Sequence, residues 1–251
     1  MDENKTKIPK DKKLMDLGKL STSGAIIIVA ILVVGAIFFG IKSANKIKIK
    51  NKLKTQTTTQ QQTNSAVNIS KVNLKGEPFI GNPNAPVVIA YWSDYQCPFC
   101  KRFNDDAIRQ IVKNYVNNGK VKIVFKDFQF LGPDSQIAGL AGRAVWEIAP
   151  AKFYIWHKAM YNAQDAENSG WGNKADILAL TKSLGIDSVK VGQLMDSKAS
   201  QYQREMNADR KEADSMGIKG TPAIIIGHNS LIGAQPYAVV KQLIDQQLQA
   251  K

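Results

Sequence analysis

Hydrophobic and polar positions divide the chain into three stretches with different periods. The first is an uncharged run of 22 residues, Leu20 to Ile41, lying between Lys19 and Lys42. As a helix at about 1.5 Å per residue it would measure roughly 33 Å, enough to cross the hydrocarbon core of a bilayer. So apolar a run is unusual inside a soluble fold. It is also longer than the apolar part of a secretory signal, and Lys42 stands where cleavage needs a small residue. The pattern predicts one N-terminal transmembrane signal-anchor helix over 20–41, preceded by a short tail over 1–19.

The second stretch is polar. Lys46 to Lys54 alternates lysine with apolar residues, which suits a segment along anionic headgroups and a solvated stalk base equally well. Thr55 to Ser65 is Thr, Gln, Asn and Ser only, and has too little apolar surface to fold. Residues 42–71 therefore read as a basic and then polar flexible linker.

The third stretch, 72–251, carries the periods of a folded domain. After the turn cluster Pro83-Asn-Ala-Pro86, the run Val87 to Trp92 reads as a buried strand. Phe103, Ile108, Ile111, Val112 and Tyr115 fall near one face of a helix that ends at Asn117-Asn118-Gly119. Val121 to Lys126 is a second strand. Helical patterns then follow over 138–147, 153–161, 175–184, 189–195 and 200–216, so a helical insertion occupies about 133–216. Strands return at 222–226 and 230–232, and Pro236 opens a last helix over 237–248. The order is β-α-β, a helical block, then β-β-α.

Charge sharpens this picture. The net charge is +13, but +8 of it lies in residues 1–54, flanking the apolar run. That distribution suits a membrane surface, with lipid contacts through 20–41. Aromatic residues do not interleave with the lysine runs, so a nucleic-acid partner is not expected. The lysine counts on the two sides of the run are equal, six in 1–23 and six in 42–54, and leave its orientation open.

Candidate chemistry rests on the only two cysteines, in Cys97-Pro98-Phe99-Cys100, where the first strand turns into the first helix. One pair so close cannot scaffold a fold, and its loop is too short to restrict the unfolded chain much. A zinc site needs four ligands, and the two histidines, His157 and His228, are not spaced as partners, so no metal is expected. Within one helical turn, two sulfurs can instead open and close as a dithiol and disulfide. At the helix start, backbone N–H groups and the dipole stabilise a Cys97 thiolate, the attacking species in exchange. Cys100, a turn further in, is expected to be buried and to resolve the mixed disulfide. Pro98 suits the first helical position, and Phe99 offers an apolar surface beside the sulfur. Gly220-Thr221-Pro222 precedes a strand. A trans proline at a strand's first residue and a cis peptide that presents the Thr221 backbone to a bound peptide both fit.

Residues 76–251 resemble the DsbA-like thioredoxin-fold proteins, in the branch with membrane-anchored bacterial members. The resemblance lies in Gly81-Asn-Pro-Asn-Ala-Pro-Val87, Ser93-Asp-Tyr-Gln-Cys-Pro-Phe-Cys100, Phe153 to Met160, Gly170-Trp171, Gly220-Thr-Pro-Ala-Ile-Ile-Ile-Gly227 and Gly233-Ala-Gln-Pro-Tyr237. It implies an α/β thioredoxin fold with an inserted helical domain. It also implies Cys97 as nucleophile, Cys100 as resolving thiol, and Pro222 as a cis-proline that, with Thr221, Phe99 and Pro98, meets the substrate. No cofactor beyond the redox-active pair is implied. Two departures stand out. Tyr91 replaces a glutamate common six residues before the first cysteine, with Lys126 at a neighbouring position. Phe99 replaces a histidine that would acidify Cys97.

The resemblance fixes the reaction type and not its direction, since DsbA and thioredoxin differ by about 150 mV, or roughly 7 kcal/mol. Oxidation of reduced exported proteins is the first expectation, with reoxidation by a DsbB-like or related quinone-linked membrane protein. A disulfide isomerase or reductase, or a non-enzymatic binding module of the same fold, are the alternatives. Because stable disulfides form outside the cytosol, the tail is expected inside and the catalytic domain outside.

Overall fold

The computed structural model describes residues 67–250. The expected tail, the apolar run over 20–41 and the linker up to residue 66 lie outside the described residues. Among the described residues no helix is long and apolar enough to cross a membrane.

A mixed sheet forms the centre. Its strands are β1 (Phe79–Ile80), β2 (Val87–Ser93), β3 (Val121–Asp127), β4 (Ala223–Ile226) and β5 (Asn229–Ile232), in the spatial order β1-β3-β2-β4-β5. β2 and β3 run parallel, with Tyr91 opposite Phe125 and Trp92 opposite Lys126. β4 runs antiparallel to β2, with Trp92 opposite Ala223, and β5 closes that side as a hairpin. β1 is too short to show a period and was not expected from the sequence.

The helices follow the expected order. α1 covers 98–116 and alternates α-helical Pro98–Phe103 and Arg109–Ile111 with the wider π turns Asn104–Ile108 and Val112–Val116. The five-residue step from Phe103 to Ile108 fits a π turn, and both stay buried against the sheet. The insertion comprises α2 (Pro133–Ile148), α3 (Phe153–Ala163), α4 (Lys174–Ser183), α5 (Ser188–Ser197) and α6 (Ala199–Ser215), and α7 (Tyr237–Gln249) ends the domain. This is a thioredoxin fold with inserted helices.

Period-2 alternation along the strands gives two cores. Ile89, Tyr91, Ile123, Phe125, Ile224 and Ile226 point to the face covered by α1, α3 and α7. Ala90, Trp92, Ala223 and Ile225 point to the other face, where Val67, Val72, Ala213 and Ile218 cover them. Residues 67–71 therefore belong to the folded domain and not to the linker. Val67 is buried, Ile69–Lys71 form a 3-10 turn, and the Ile69 N–H donates to the Gly227 carbonyl at 2.8 Å. The sequence misled because this segment has only two apolar residues and is held partly through its backbone.

A buried ion cluster fastens the insertion to the sheet. The Arg143 guanidinium on α2 meets Asp127 at 2.6 Å, Asp209 of α6 at 2.6 Å and Glu77 at 2.8 Å. Lys126 of β3 pairs with Asp209, with Glu77 at 3.1 Å and with Glu212 at 3.2 Å, and donates to the Asn73 carbonyl at 2.8 Å. Removing one partner from a buried set of this kind typically costs about 3–5 kcal/mol, because the remaining charges lose their compensation. The cluster therefore joins the N-terminal segment, β3, α2 and α6.

Candidate active site

β2 delivers the chain to the turn Asp94-Tyr-Gln-Cys97, and α1 starts directly behind it. Cys97 has an extended backbone (φ −78°, ψ 118°) and is the N-cap of α1, with Pro98 in the first turn. The two cysteines are unbonded and lie 3.5 Å apart. Their surroundings differ. Cys100 has no exposed surface, whereas Cys97 keeps 4 % of its own, with Pro98 and Phe99 exposed beside it. The Phe99 ring is 54 % exposed and carries the Arg102 guanidinium 5.0 Å from its centroid.

The opposite wall is the loop before β4. The Thr221–Pro222 peptide is cis, and the Thr221 carbonyl accepts the Cys97 thiol at 3.6 Å. The Thr221 hydroxyl is buried without a hydrogen-bond partner among the described residues. The segments Cys97 to Cys100 and Thr221-Pro222, far apart in sequence, thus meet at Cys97.

This arrangement separates the two thiols chemically. The Cys100 thiol beside it pulls Cys97 down to about 6, helped by Thr221 and by the N–H groups of Cys100 and Phe99, against the opposing cost of burial. A shift from about 9 to about 6 is worth roughly 4 kcal/mol between thiol and thiolate. Burial pushes Cys100 well above its ordinary value, and the neighbouring Cys97 sulfur adds to this. One sulfur is a thiolate at neutral pH and the other holds its proton, which is the asymmetry that ordered exchange requires.

Beneath the cysteines lies a buried polar chain that the sequence did not reveal. The Asn104 side-chain amide donates to the Tyr91 hydroxyl at 2.9 Å and to the Cys100 carbonyl at 3.1 Å. Its oxygen therefore accepts from His157 Nε2 at 3.1 Å, which leaves His157 Nδ1 to accept from the Tyr95 hydroxyl at 2.9 Å. Tyr91 sits on this face of the sheet. Lys126 belongs to the other face, in the ion cluster, and does not serve the thiols.

The turn itself is held from outside. The Asp94 carboxylate accepts from the Gln96, Phe130 and Leu131 N–H groups and from the Ser135 hydroxyl, at 2.7–3.2 Å. Tyr161 donates to the Asp94 carbonyl at 3.2 Å. Gln164, at the end of α3, donates to the Tyr95 and Cys97 carbonyls. Asp94 followed two residues later by a turn N–H is a readable Asx-turn signal. Gln164 and His157 carry no comparable signal, because only the tertiary fold brings them there, and Asn104, one turn beyond Cys100, is a single polar residue with no motif around it. Among the described residues no three side chains of His, Cys, Asp or Glu converge as metal ligands.

Comparison with known proteins agrees with this geometry. Residues 73–246 match the family model described as Thioredoxin. The disulfide bond formation protein D of Bacillus subtilis is 29 % identical over 194 residues, covering 76 % of this chain and 85 % of that protein. The probable disulfide bond formation protein D of Bacillus cereus is 24 % identical over 240 residues, 95 % of this chain and 99 % of that one. Among solved structures, oxidised BdbD from Bacillus subtilis superposes with a TM-score of 0.65 at 28 % identity, over 70 % of this chain and 95 % of that one. The thiol–disulfide exchange protein α-DsbA2 of Wolbachia pipientis gives 0.61 at 29 % identity, over 68 % and 87 %.

The buried histidine makes a pH dependence. Burial pulls His157 down to about 3, while the unfolded residue titrates near 6.5. Its contribution to stability is complete above about pH 6.5. It is lost as pH falls toward 3, because the unfolded chain takes up a proton that the folded chain refuses. Denaturant unfolding of wild type and His157→Gln between pH 7 and pH 4 should differ in slope by close to one proton, about 1.4 kcal/mol per pH unit. Parallel profiles would show that His157 is not held neutral.

Proposed function

We propose that this chain, which belongs to the thioredoxin family and is a thiol–disulfide oxidoreductase of the DsbA-like kind, oxidises reduced exported proteins through Cys97 and Cys100. The contrast that supports this direction is between a Cys97 whose thiol is pulled down to about 6 and a fully enclosed Cys100 that holds its proton. In the oxidised form, a client thiolate attacks Cys97 Sγ. The Cys97–Cys100 bond breaks, its electron pair goes to Cys100, and Cys100 takes a proton. A second client thiolate then attacks the client sulfur of the mixed disulfide and expels Cys97. Two electrons have moved from client to enzyme, and the client holds a new disulfide. Cys97 is a good leaving group because its thiolate is stabilised, and low leaving-group pKa speeds this step.

The backbone of Thr221 lies alongside Cys97 and offers hydrogen bonds to an extended client segment, with Phe99 and Pro98 supplying apolar contact. Turnover requires an oxidant, for which a DsbB-like or related quinone-linked membrane protein is the proposed class. The apolar run over 20–41 would anchor the chain with its catalytic domain outside the cytosol, where disulfides persist.

Oxidised full chain should accelerate formation of disulfides in a reduced, unfolded client. Cys97→Ser should abolish this. Refolding assays with non-reducing gels check it: failure of the wild type to accelerate oxidation in any redox buffer would rule out the oxidase reading, and acceleration only with a scrambled client would point to an isomerase. For the anchor, the full chain should remain with membranes after carbonate washing, and release into the wash, or a mature N-terminus near residue 45, would contradict it.

A further inference from the structure

The groups that acidify Cys97 lie on α1 and on the loop before β4. Its backbone has another neighbour, supplied by the insertion. Gln164 follows the last turn of α3 and leaves the helix with extended backbone (φ −58°, ψ 126°). Its side-chain amide nitrogen lies 2.6 Å from the Tyr95 carbonyl and 3.2 Å from the Cys97 carbonyl, so its two hydrogens serve both. The residues that follow strengthen the same attachment, since the Asn168 N–H donates to the Gln96 side-chain oxygen at 3.1 Å. Gln96 is almost fully buried, and Gln164 is half-buried at the rim of the site.

We infer that Gln164 is a positioning residue that tunes the acidity of Cys97 from the insertion. The inference rests on Cys97 being the nucleophile. The Cys97 carbonyl oxygen is the nearest fixed negative partial charge on the residue that carries the sulfur. It already accepts the Lys101 N–H at 3.1 Å within the helix. A second donor from Gln164 offsets more of that negative potential. Its bond to Tyr95 fixes the turn two residues earlier, so the N–H groups of Phe99 and Cys100 stay aimed at Sγ. A carbonyl deprived of that donor disfavours a thiolate built on the same residue. The reduced form then loses stabilisation and the disulfide becomes less oxidising.

Two substitutions of opposite electrostatic sign separate tuning from mere support. Gln164→Leu keeps the bulk and removes the donor. Gln164→Lys keeps a donor and adds a positive charge. In the full chain, thiolate absorbance against pH reads the acidity of Cys97, and equilibration with glutathione reads the couple. Gln164→Leu is expected to cut the thiolate fraction below the pKa by about three- to ten-fold. It should shift the equilibrium toward the disulfide by a similar factor, about 15–30 mV. Gln164→Lys is expected to move both readings the other way from wild type. Shifts in the same direction for both variants, or no shift in either, would overturn the role of Gln164 while leaving Cys97 as the nucleophile. A wild-type Cys97 that titrates at or above the free value of about 8.5 would overturn both.

Discussion

A thiol that ionises in a protein interior must offset the cost of burying its own charge. Cys100 shows what happens when it does not: a turn into α1, fully enclosed, its sulfur holds its proton well above the ordinary range. Cys97 is nearly as enclosed, yet it is pulled down to about 6. The alignment of peptide dipoles at a helix start supplies typically 0.3–1 kcal/mol, up to about 2 in favourable geometry. That falls short of the roughly 4 kcal/mol the shift represents. The Cys100 thiol contributes most to the lowering, and Thr221 and the backbone N–H groups of Cys100 and Phe99 add to it, against the cost of burial.

Donors of this kind act only while the turn that carries the sulfur stays fixed, and most of the fixing comes from outside the central fold. Asp94 gathers donors from the loop after β3 and from Ser135 on α2. Tyr161 and Gln164 of the α3 end hold the carbonyls of Asp94, Tyr95 and Cys97. The insertion in turn is fastened to the sheet by Arg143 and Lys126, whose carboxylate partners come from α6, β3 and the N-terminal segment. The helical block is thus the outer frame of the redox site.

Much of this was readable from local pattern. β2 appears in the sequence as a continuous apolar run and β3 as an apolar run between lysines, and both are largely buried. The reactive pair could be found because its chemistry is local: both sulfurs and the helix start lie within four residues. Three things were hidden for physical reasons. β1 has two residues and no period of its own. Residues 67–71 are polar in composition and are held in part by one backbone hydrogen bond to Gly227, which leaves no trace in side-chain pattern. Gln164 and His157 reach the site only through the packing of the α3 end on α1, while Asn104 lies one turn beyond Cys100 in α1 and looks, as a single polar residue of a helix, like any other.

A stabilised thiolate favours a reduced dithiol over its disulfide, so on the oxidase reading proposed above the groups around Cys97 would set acidity and direction together. The potential of the Cys97–Cys100 couple measures their sum. Equilibrating the full chain with glutathione buffers of known ratio, and reading the fraction of dithiol, gives it directly. A potential well above the about −270 mV of thioredoxin, toward the about −120 mV of DsbA, is expected. A value at or below that of thioredoxin would mean that the donors around Cys97 do not stabilise its thiolate enough to make this protein an oxidase.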